Sequence, residues 1–139
     1  YIEMITLKTS VLLAASLKMG AILGGAGEGN RMHLYEFGKN LGIAFQIQDD
    51  YLDAFGDPEK FGKEVGGDIR QNKKTFLMLH ALEVASDDQK KSLQELMNSQ
   101  TSDKVQKVLD IFRACGVDQW AIDLKQTYYN KAMQHLEDI

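Results

Sequence analysis

The sequence contains few of the residues that interrupt helices or crosslink chains. Its 139 residues include one proline and one cysteine. Because proline ends or kinks helices, its scarcity favours long ones. A lone Cys115 excludes an intrachain disulfide framework and fits a reducing compartment, which predicts a cytoplasmic location. The side chain of Cys115 is expected to behave as a small buried hydrophobe.

Strong positive charge and long apolar runs are also missing. The net charge of −4 gives no reason to expect binding to nucleic acid or to an anionic membrane surface. The longest apolar stretch, Val11 to Leu17, is broken by Ser16 and ends at Lys18. It is far shorter than the roughly 20 residues that span a bilayer, so no stable membrane insertion is predicted.

Apolar residues recur at helical spacing along the chain, and no segment alternates like a strand. The predicted fold class is therefore all-α. The segment from Glu59 to Arg70, with its glycines, is predicted to be a loop. The first three predicted helices run from Glu3 to about Leu23, from Asn30 to about Phe55, and from about Asn72 to Ala85. A fourth begins at a capping box formed by Ser86 and Gln89. A fifth runs from a cap at Thr101 or Ser102 to Gly116, and a sixth begins at a cap at Asp118.

The first two predicted helices are apolar on more than one face. The first has Leu12, Met19 and Ile22 at helical spacing and further apolar side chains elsewhere, which predicts a buried helix. The chain also opens directly on Tyr1 and Ile2 without a helix cap, which is typical of a segment that begins inside a helix. Residues 1–139 are therefore predicted to form a single partial domain, truncated from a larger helical bundle.

An acidic cluster stands near the end of the second predicted helix. Asp49 and Asp53 are four residues apart and point the same way, with Asp50 on their flank and Gln46 one turn earlier. The carboxyl end of a helix carries negative partial charge, so clustered carboxylates repel there. A hard divalent cation such as Mg²⁺ would relieve the repulsion. The alternative is an acidic helix end in water. An EF-hand is excluded by the spacing.

Basic residues accompany the cluster. Lys63 follows in a glycine-bearing loop, Lys73 opens the next helix, and Lys8 lies on an apolar face beside Thr9. Lysine is a good point-charge partner for phosphate. Each lysine alone is more typical of a solvated surface, and Lys8 could also snorkel towards water.

Together these residues resemble the trans-polyprenyl diphosphate synthases, the family of farnesyl and geranylgeranyl diphosphate synthases. Lys8-Thr9 matches the Lys-Thr motif of that family, and Phe45-Gln46 with Asp49 to Asp53 matches its second aspartate-rich motif. Gly62-Lys63, Gly66, Asp68 and Lys73 match the loop that follows. The matches end at about residue 75, and beyond it only the helix spacing is similar.

The resemblance implies a helical bundle around a deep cavity, in which isopentenyl diphosphate is joined to an allylic diphosphate. It implies Mg²⁺ as the cofactor, with Asp49 as a direct ligand and Asp50 and Asp53 acting directly or through water. It assigns the diphosphate to Lys8, Lys63 and Lys73, supported by Thr9 and Gln46. Phe45 could face a carbocation, although packing in the core is the commoner role of phenylalanine.

The sequence also departs from the family pattern. The sequence has no first aspartate-rich motif, since Asp87-Asp88 is better interpreted as part of a helix cap. We therefore expect this chain alone to be inactive, to self-associate through its first two helices, and to form a homodimer. A class I terpene cyclase fragment, a non-catalytic subunit of a heteromeric synthase and an acidic helical interaction module are the alternatives. The three histidines are too scattered to suggest a metal site.

Overall fold

The computed structural model describes residues 10–56, 66–71 and 75–139. Within these ranges it contains helices and no strand, which confirms the all-α class. We number the described helices α1 (Val11–Leu23), α2 (Glu28–Phe55), α3 (Gly67–Arg70), α4 (Phe76–Val84), α5 (Asp87–Met97), α6 (Lys104–Ala114) and α7 (Val117–Glu137). The first helix ends at Leu23, as predicted, and Gly24 caps its last turn through its backbone N–H.

Two segments that precede α4 differ from the prediction. The predicted loop contains the short helix α3, which begins after Gly66 turns the chain with a φ of +88°. The next helix begins at Phe76 and not at Asn72, because Thr75 has an extended backbone and its hydroxyl accepts a hydrogen bond from the Met78 N–H. Side-chain caps thus set boundaries that the apolar period alone could not place.

Other helix starts are partly confirmed. The capping box is present, with 3.3 Å from the Gln89 nitrogen to the Ser86 Oγ and 2.9 Å from the Ser86 nitrogen to the Gln89 Oε1. The predicted caps of α6 and α7 are wrong, because Asp103 is the N-cap of α6 and α7 begins at Val117. α2 begins two residues earlier than predicted. Asp118 lies in the first turn of α7, where its negative charge complements the helix dipole.

The chain divides into two compact units, which we describe separately. The first comprises the described parts of Tyr1–Ile47 and Asp123–Ile139, and the second is Gln48–Ile122. The prediction that residues 1–139 make one partial domain therefore stays a prediction.

In the first unit, α1 and α2 approach closely where both carry small residues. A Cβ atom placed on Gly38 would lie 3.0 Å from the Cα of Ala14, and one placed on Gly42 would lie 3.1 Å from the Cα of Ser10. Ser10 and Ala14 are fully buried at this crossing. Among the described residues, the Ser10 hydroxyl has no hydrogen-bond partner, so this buried contact depends on close packing and not on polar pairing.

The prediction that the first helix is buried holds for one face of α1 in the described structure. Only the small residues that face α2, Ala14 and Ala21, are buried along α1. Leu12, Met19 and Leu23 are 70%, 63% and 86% exposed. The sequence shows apolar residues on several faces of α1, but a single neighbouring helix can cover only one of those faces.

In the second unit, α4, α5 and α6 pack around a conventional apolar core. Its fully buried large side chains include Leu77, Leu93, Val108 and Phe112. Each such burial contributes about 1.5–3 kcal/mol relative to exposure. Cys115 is half-buried at its edge, with its Sγ 3.4 Å from the Gln89 Oε1. Burial raises the pKa of this thiol, which disfavours the thiolate and any nucleophilic role.

His80 stacks on the single tryptophan of the sequence. The His80 and Trp120 rings are nearly parallel, with 3.6 Å between their centroids. Burial lowers the pKa of His80 from its ordinary value of 6.5, and the nearby Glu83 opposes that shift to a smaller extent. An imidazolium in contact with an indole quenches its fluorescence. We therefore expect Trp120 emission to fall on acidification, with a midpoint below pH 6.5.

Protonation of His80 should also change the free energy of unfolding. The unfolded chain binds a proton at this imidazole with the ordinary pKa, whereas the folded chain binds it only at lower pH. The free energy of unfolding should therefore fall as the pH drops from about 6.5 through the folded-state pKa of His80. Fluorescence titration and urea unfolding check both statements, with His80→Gln as the control that removes the transition. A midpoint above pH 6.5 would mean that attraction between the cation and the indole face outweighs burial.

Candidate functional site

The acidic motif occupies the last two turns of α2. Asp49 is exposed, Asp50 is buried with 7% of its surface accessible, and Asp53 is half-buried. α2 ends at Phe55, so the three carboxylates lie at the helix end with negative partial charge, as predicted. The three carboxylates therefore differ in how accessible they are to a ligand. Asp49 is the carboxylate most accessible to a ligand from solvent.

Asp53 holds the turn that follows the motif. Its Oδ2 accepts a hydrogen bond from the Asp68 N–H at 2.9 Å, and its backbone carbonyl accepts one from the Gly66 N–H. A Cβ on Gly67 would lie 3.5 Å from the Asp53 Oδ1, so the turn is packed on the carboxylate. Asp53 therefore fixes where residues 66–68 lie relative to the end of α2.

Val105 at the start of α6 lies close to Gly66 of this turn. A Cβ on Gly66 would lie 2.5 Å from the Cγ1 of Val105, a distance that packed atoms do not adopt. The positive φ of Gly66 also favours glycine at this position. Two independent requirements thus exclude a larger residue beside Asp53.

Not every predicted site residue can be placed. Lys8, Thr9, Lys63 and Lys73 lie outside the described residues, so their roles stay predictions. Gln46 is half-buried on α2 and belongs to the first unit, whereas the three aspartates belong to the second. Phe45 is 60% exposed, so the expectation that it packs in the core is wrong for this chain.

The donor set fits a partly hydrated divalent cation. Among the described residues, no group of three or more histidine, cysteine, aspartate or glutamate side chains is arranged to hold a metal ion. Mg²⁺ does not require such a cage, because it usually keeps several waters and binds one or two carboxylates together with substrate phosphate. Asp49 with Asp50 or Asp53 can supply those carboxylates.

Sequence reasoning missed the structural role of Asp53. It identified Asp53, Gly66 and Asp68 as parts of a motif, but not the hydrogen bonds that join them. It gave no sign of Val105 at all, since a valine at helical spacing indicates only core packing. The one available signal was Gly66-Gly67, which is typical of a tight backbone approach.

The histidines lie elsewhere and have partners. The Nδ1 atoms of His33 and His135 are 3.1 Å apart, with α2 and α7 supplying one ring each, and His80 stacks on Trp120. No helix in the described part of the chain is long and apolar enough to cross a membrane.

The described helices match those of isoprenoid-diphosphate synthases. A crystal structure of a geranylgeranyl pyrophosphate synthase superposes with a TM-score of 0.90 at 44% identity, covering 100% of this chain and 44% of its own. The geranylgeranyl pyrophosphate synthetase of Pyrococcus horikoshii gives 0.92 at 36% identity, covering 99% and 42%. The fold is thus that of part of an all-α isoprenoid synthase.

The family model described as polyprenyl synthetase matches residues 1–115. A short chain isoprenyl diphosphate synthase of Methanocaldococcus jannaschii is 41% identical over 115 residues, which are 81% of this chain and 35% of that protein. The chain therefore belongs to the polyprenyl synthetase family. It spans less than half the length of the curated relatives that it matches.

Proposed function

We propose that these residues form the part of a trans-polyprenyl diphosphate synthase that binds Mg²⁺ and the diphosphate of the allylic substrate. The observation that carries the proposal is the end of α2, where Asp49 is exposed while Asp53 is hydrogen-bonded to the turn at residues 66–68. An exposed carboxylate beside a fixed turn suits a cation that bridges protein and phosphate. The family membership and the names of the relatives support the same reaction class.

In the whole enzyme, the proposed reaction condenses isopentenyl diphosphate with an allylic diphosphate. The allylic C–O bond breaks and diphosphate leaves with the electron pair. The resulting cation is attacked by the double bond of isopentenyl diphosphate, and a proton is then lost. Bound Mg²⁺ would stabilise negative charge on the departing diphosphate.

In this proposal the protein residues position the cation and neutralise the charge of the diphosphate. Asp49 would hold the cation, with Asp50 or Asp53 completing its protein ligands directly or through water. Asp53 keeps the turn at residues 66–68 in place. Lys8, Lys63 and Lys73 would neutralise the diphosphate where its charge develops, with Thr9 and Gln46 as hydrogen-bonding partners.

The remaining sequence predictions belong to the same proposal. We infer a cytoplasmic location, a homodimer, and self-association of the chain through the apolar faces of its first two helices. We also infer little or no prenyl transfer by these 139 residues alone, because the sequence lacks a first aspartate-rich motif. A cyclase fragment and a non-catalytic subunit remain less economical, since the relatives named above are synthases.

The proposal is tested by calorimetric titration with a non-hydrolysable allylic diphosphate analogue, with and without Mg²⁺. We expect magnesium-dependent binding that Asp49→Ala weakens at least about tenfold, or 1.4 kcal/mol. The loss follows because the exposed ligand that links cation and protein is removed.

A matched control is Asp88→Ala, which removes an exposed aspartate from the first turn of α5. It should leave binding within about twofold of the parent chain, or 0.4 kcal/mol. Equal weakening by both substitutions would show a non-specific charge effect. Binding unchanged by Asp49→Ala would contradict the assignment of the metal to the end of α2.

A further inference from the structure

Two histidines that are 102 positions apart in the sequence face each other within the first unit. His33 lies near the start of α2, and His135 lies in the last turn of α7. Their Nδ1 atoms are 3.1 Å apart, their ring centroids are 5.4 Å apart, and both side chains are half-buried. Neither residue belongs to the acidic motif or to the turn at residues 66–68. The function proposed above therefore makes no use of this pair.

The two facing nitrogens have complementary roles when no ligand is bound. In a pair of neutral imidazoles, one Nδ1–H donates a hydrogen bond and the other Nδ1 accepts it with its lone pair. If the proton of the donor ring moves to its own Nε2, both Nδ1 atoms present lone pairs. The two rings can then bind the same metal ion, because neutral imidazole is a common metal ligand in proteins.

The separation of the nitrogens suits a shared ion. Imidazole nitrogen binds Zn²⁺ at about 2.0–2.1 Å, so two such nitrogens lie about 2.9 Å apart at a right angle and about 3.4 Å apart at the tetrahedral angle. The observed 3.1 Å lies between these limits. The ring planes are inclined by 44°, and the last torsion of histidine is broadly distributed. Rotation about that torsion can therefore turn both lone pairs towards one ion.

The surroundings of His135 favour a cation. α7 ends at Glu137, so His135 lies where the helix carries negative partial charge. Glu137 and the following Asp138 are exposed carboxylates that add negative charge to this end of α7. The positive charge of Lys131, one turn before His135, lies over the ring of Tyr128 at 4.9 Å from its centroid. The end of α7 thus attracts a positive ion to the side where His135 stands.

We propose that His33 and His135 bind one divalent transition-metal ion, Zn²⁺ or Cu²⁺, which links the start of α2 to the end of α7. Imidazole nitrogen suits these ions, whereas Mg²⁺ prefers oxygen ligands. No group of three or more histidine, cysteine, aspartate or glutamate side chains in the described ranges could hold a metal ion, so water completes the coordination. The inference rests on the contact between α2 and α7 and not on the magnesium chemistry proposed above.

A hydrogen bond without any metal-binding role is the main competing interpretation. Glutamine at either position distinguishes the two, because its amide can both donate and accept a hydrogen bond. The amide oxygen is a ligand for Mg²⁺ or Ca²⁺ more than for Zn²⁺ or Cu²⁺, which prefer imidazole. An exchange of histidine for glutamine should therefore keep the pairing of the helices and lose the metal ion.

The test is calorimetric titration of the 139-residue chain, free of any histidine tag, with ZnCl₂. Excess Mg²⁺ in the buffer competes for carboxylate ligands and not for imidazole. We expect one Zn²⁺ per chain, with binding weakened at least about tenfold, or 1.4 kcal/mol, by His33→Gln and by His135→Gln. Circular dichroism of both variants should match that of the parent. In the parent, Zn²⁺ should also shift the imidazole NMR signals of His33 and His135 but not those of His80.

His80→Gln is the matched control, since it makes the same exchange in the second unit, where the ring stacks on Trp120. It should leave Zn²⁺ affinity within about twofold of the parent. The inference is wrong if the parent binds no Zn²⁺, if both paired histidines can be exchanged without loss, or if His80→Gln weakens binding equally. One ion for every two chains would also contradict it, because both ligands belong to one chain. None of these outcomes depends on diphosphate, so failure here is distinct from failure of the proposed function.

Discussion

Replacing Gly66 by alanine is expected to lower the free energy of unfolding by about 2–5 kcal/mol. A left-handed backbone conformation costs a residue with a Cβ about 1–2 kcal/mol, and Gly66 has a φ of +88°. The new methyl group would also lie 2.5 Å from the Cγ1 of Val105, and overpacking of this kind costs about 1–3 kcal/mol. Urea unfolding, followed by circular dichroism, measures the sum.

Two further variants separate those causes. Gly116 also has a positive φ, +72°, but a Cβ there would meet nothing within 4 Å. Gly116→Ala should therefore show the backbone cost alone. In the Gly66→Ala, Val105→Ala double variant the clash is relieved, so its destabilisation should be less than the sum of the two single effects. Strict additivity would show that the turn and α6 are not in contact.

The Gly66 substitution should also affect ligand binding. Its N–H donates to the Asp53 carbonyl, and two residues later the Asp68 N–H donates to the Asp53 carboxylate. A displaced turn would release both bonds and move Asp53. Magnesium-dependent diphosphate binding should therefore weaken under conditions where the variant is still folded, whereas Gly116→Ala should bind as the parent chain does.

The second large effect is expected at the crossing of α1 and α2. Gly38→Ala and Gly42→Ala combined should lower the free energy of unfolding by about 2–4 kcal/mol. The methyl groups would lie 3.0 Å from the Cα of Ala14 in α1 and 3.1 Å from the Cα of Ser10, which precedes α1, so the helices must move apart. The gain in helix propensity, up to about 1 kcal/mol at each site, offsets part of this cost.

Gly20→Ala is the matched control, since it makes the same exchange within α1 where a Cβ would meet nothing within 4 Å. It should stabilise the chain by about 0.5–1 kcal/mol. Stabilisation by Gly20→Ala together with destabilisation by the Gly38 and Gly42 exchanges would establish that α1 and α2 cross closely. Stabilisation by the Gly38 and Gly42 exchanges would mean that the two helices do not approach as described.

The sequence predicted the helical class and the acidic motif because both depend on local spacing. The carboxylates at positions 49, 50 and 53 are brought together by one helix, whatever surrounds it. The capping box at Ser86 was predictable for the same reason, since both partners lie within one turn. Where an interaction joins neighbours in the chain, the order of residues is sufficient information.

The features that were not predicted depend on distant partners. Asp53 and Asp68 pair although they are 15 positions apart in the sequence, and Gly66 contacts Val105 of α6. The exposure of Leu12 depends on which neighbours cover α1. An apolar residue in a sequence shows only that it is suited to burial, and the neighbouring elements decide whether it is buried.

The double attachment of Asp53 has a consequence for natural variation at that position. An asparagine there would lose a negative charge yet keep an oxygen that can accept the Asp68 N–H, so it could preserve the architecture while altering cation affinity. Alanine would remove both. A family member in which the third acidic residue of the motif is an amide should therefore not be called degenerate on that ground alone. One of the two roles of this residue is to hold the turn at residues 66–68, and an amide can still do so.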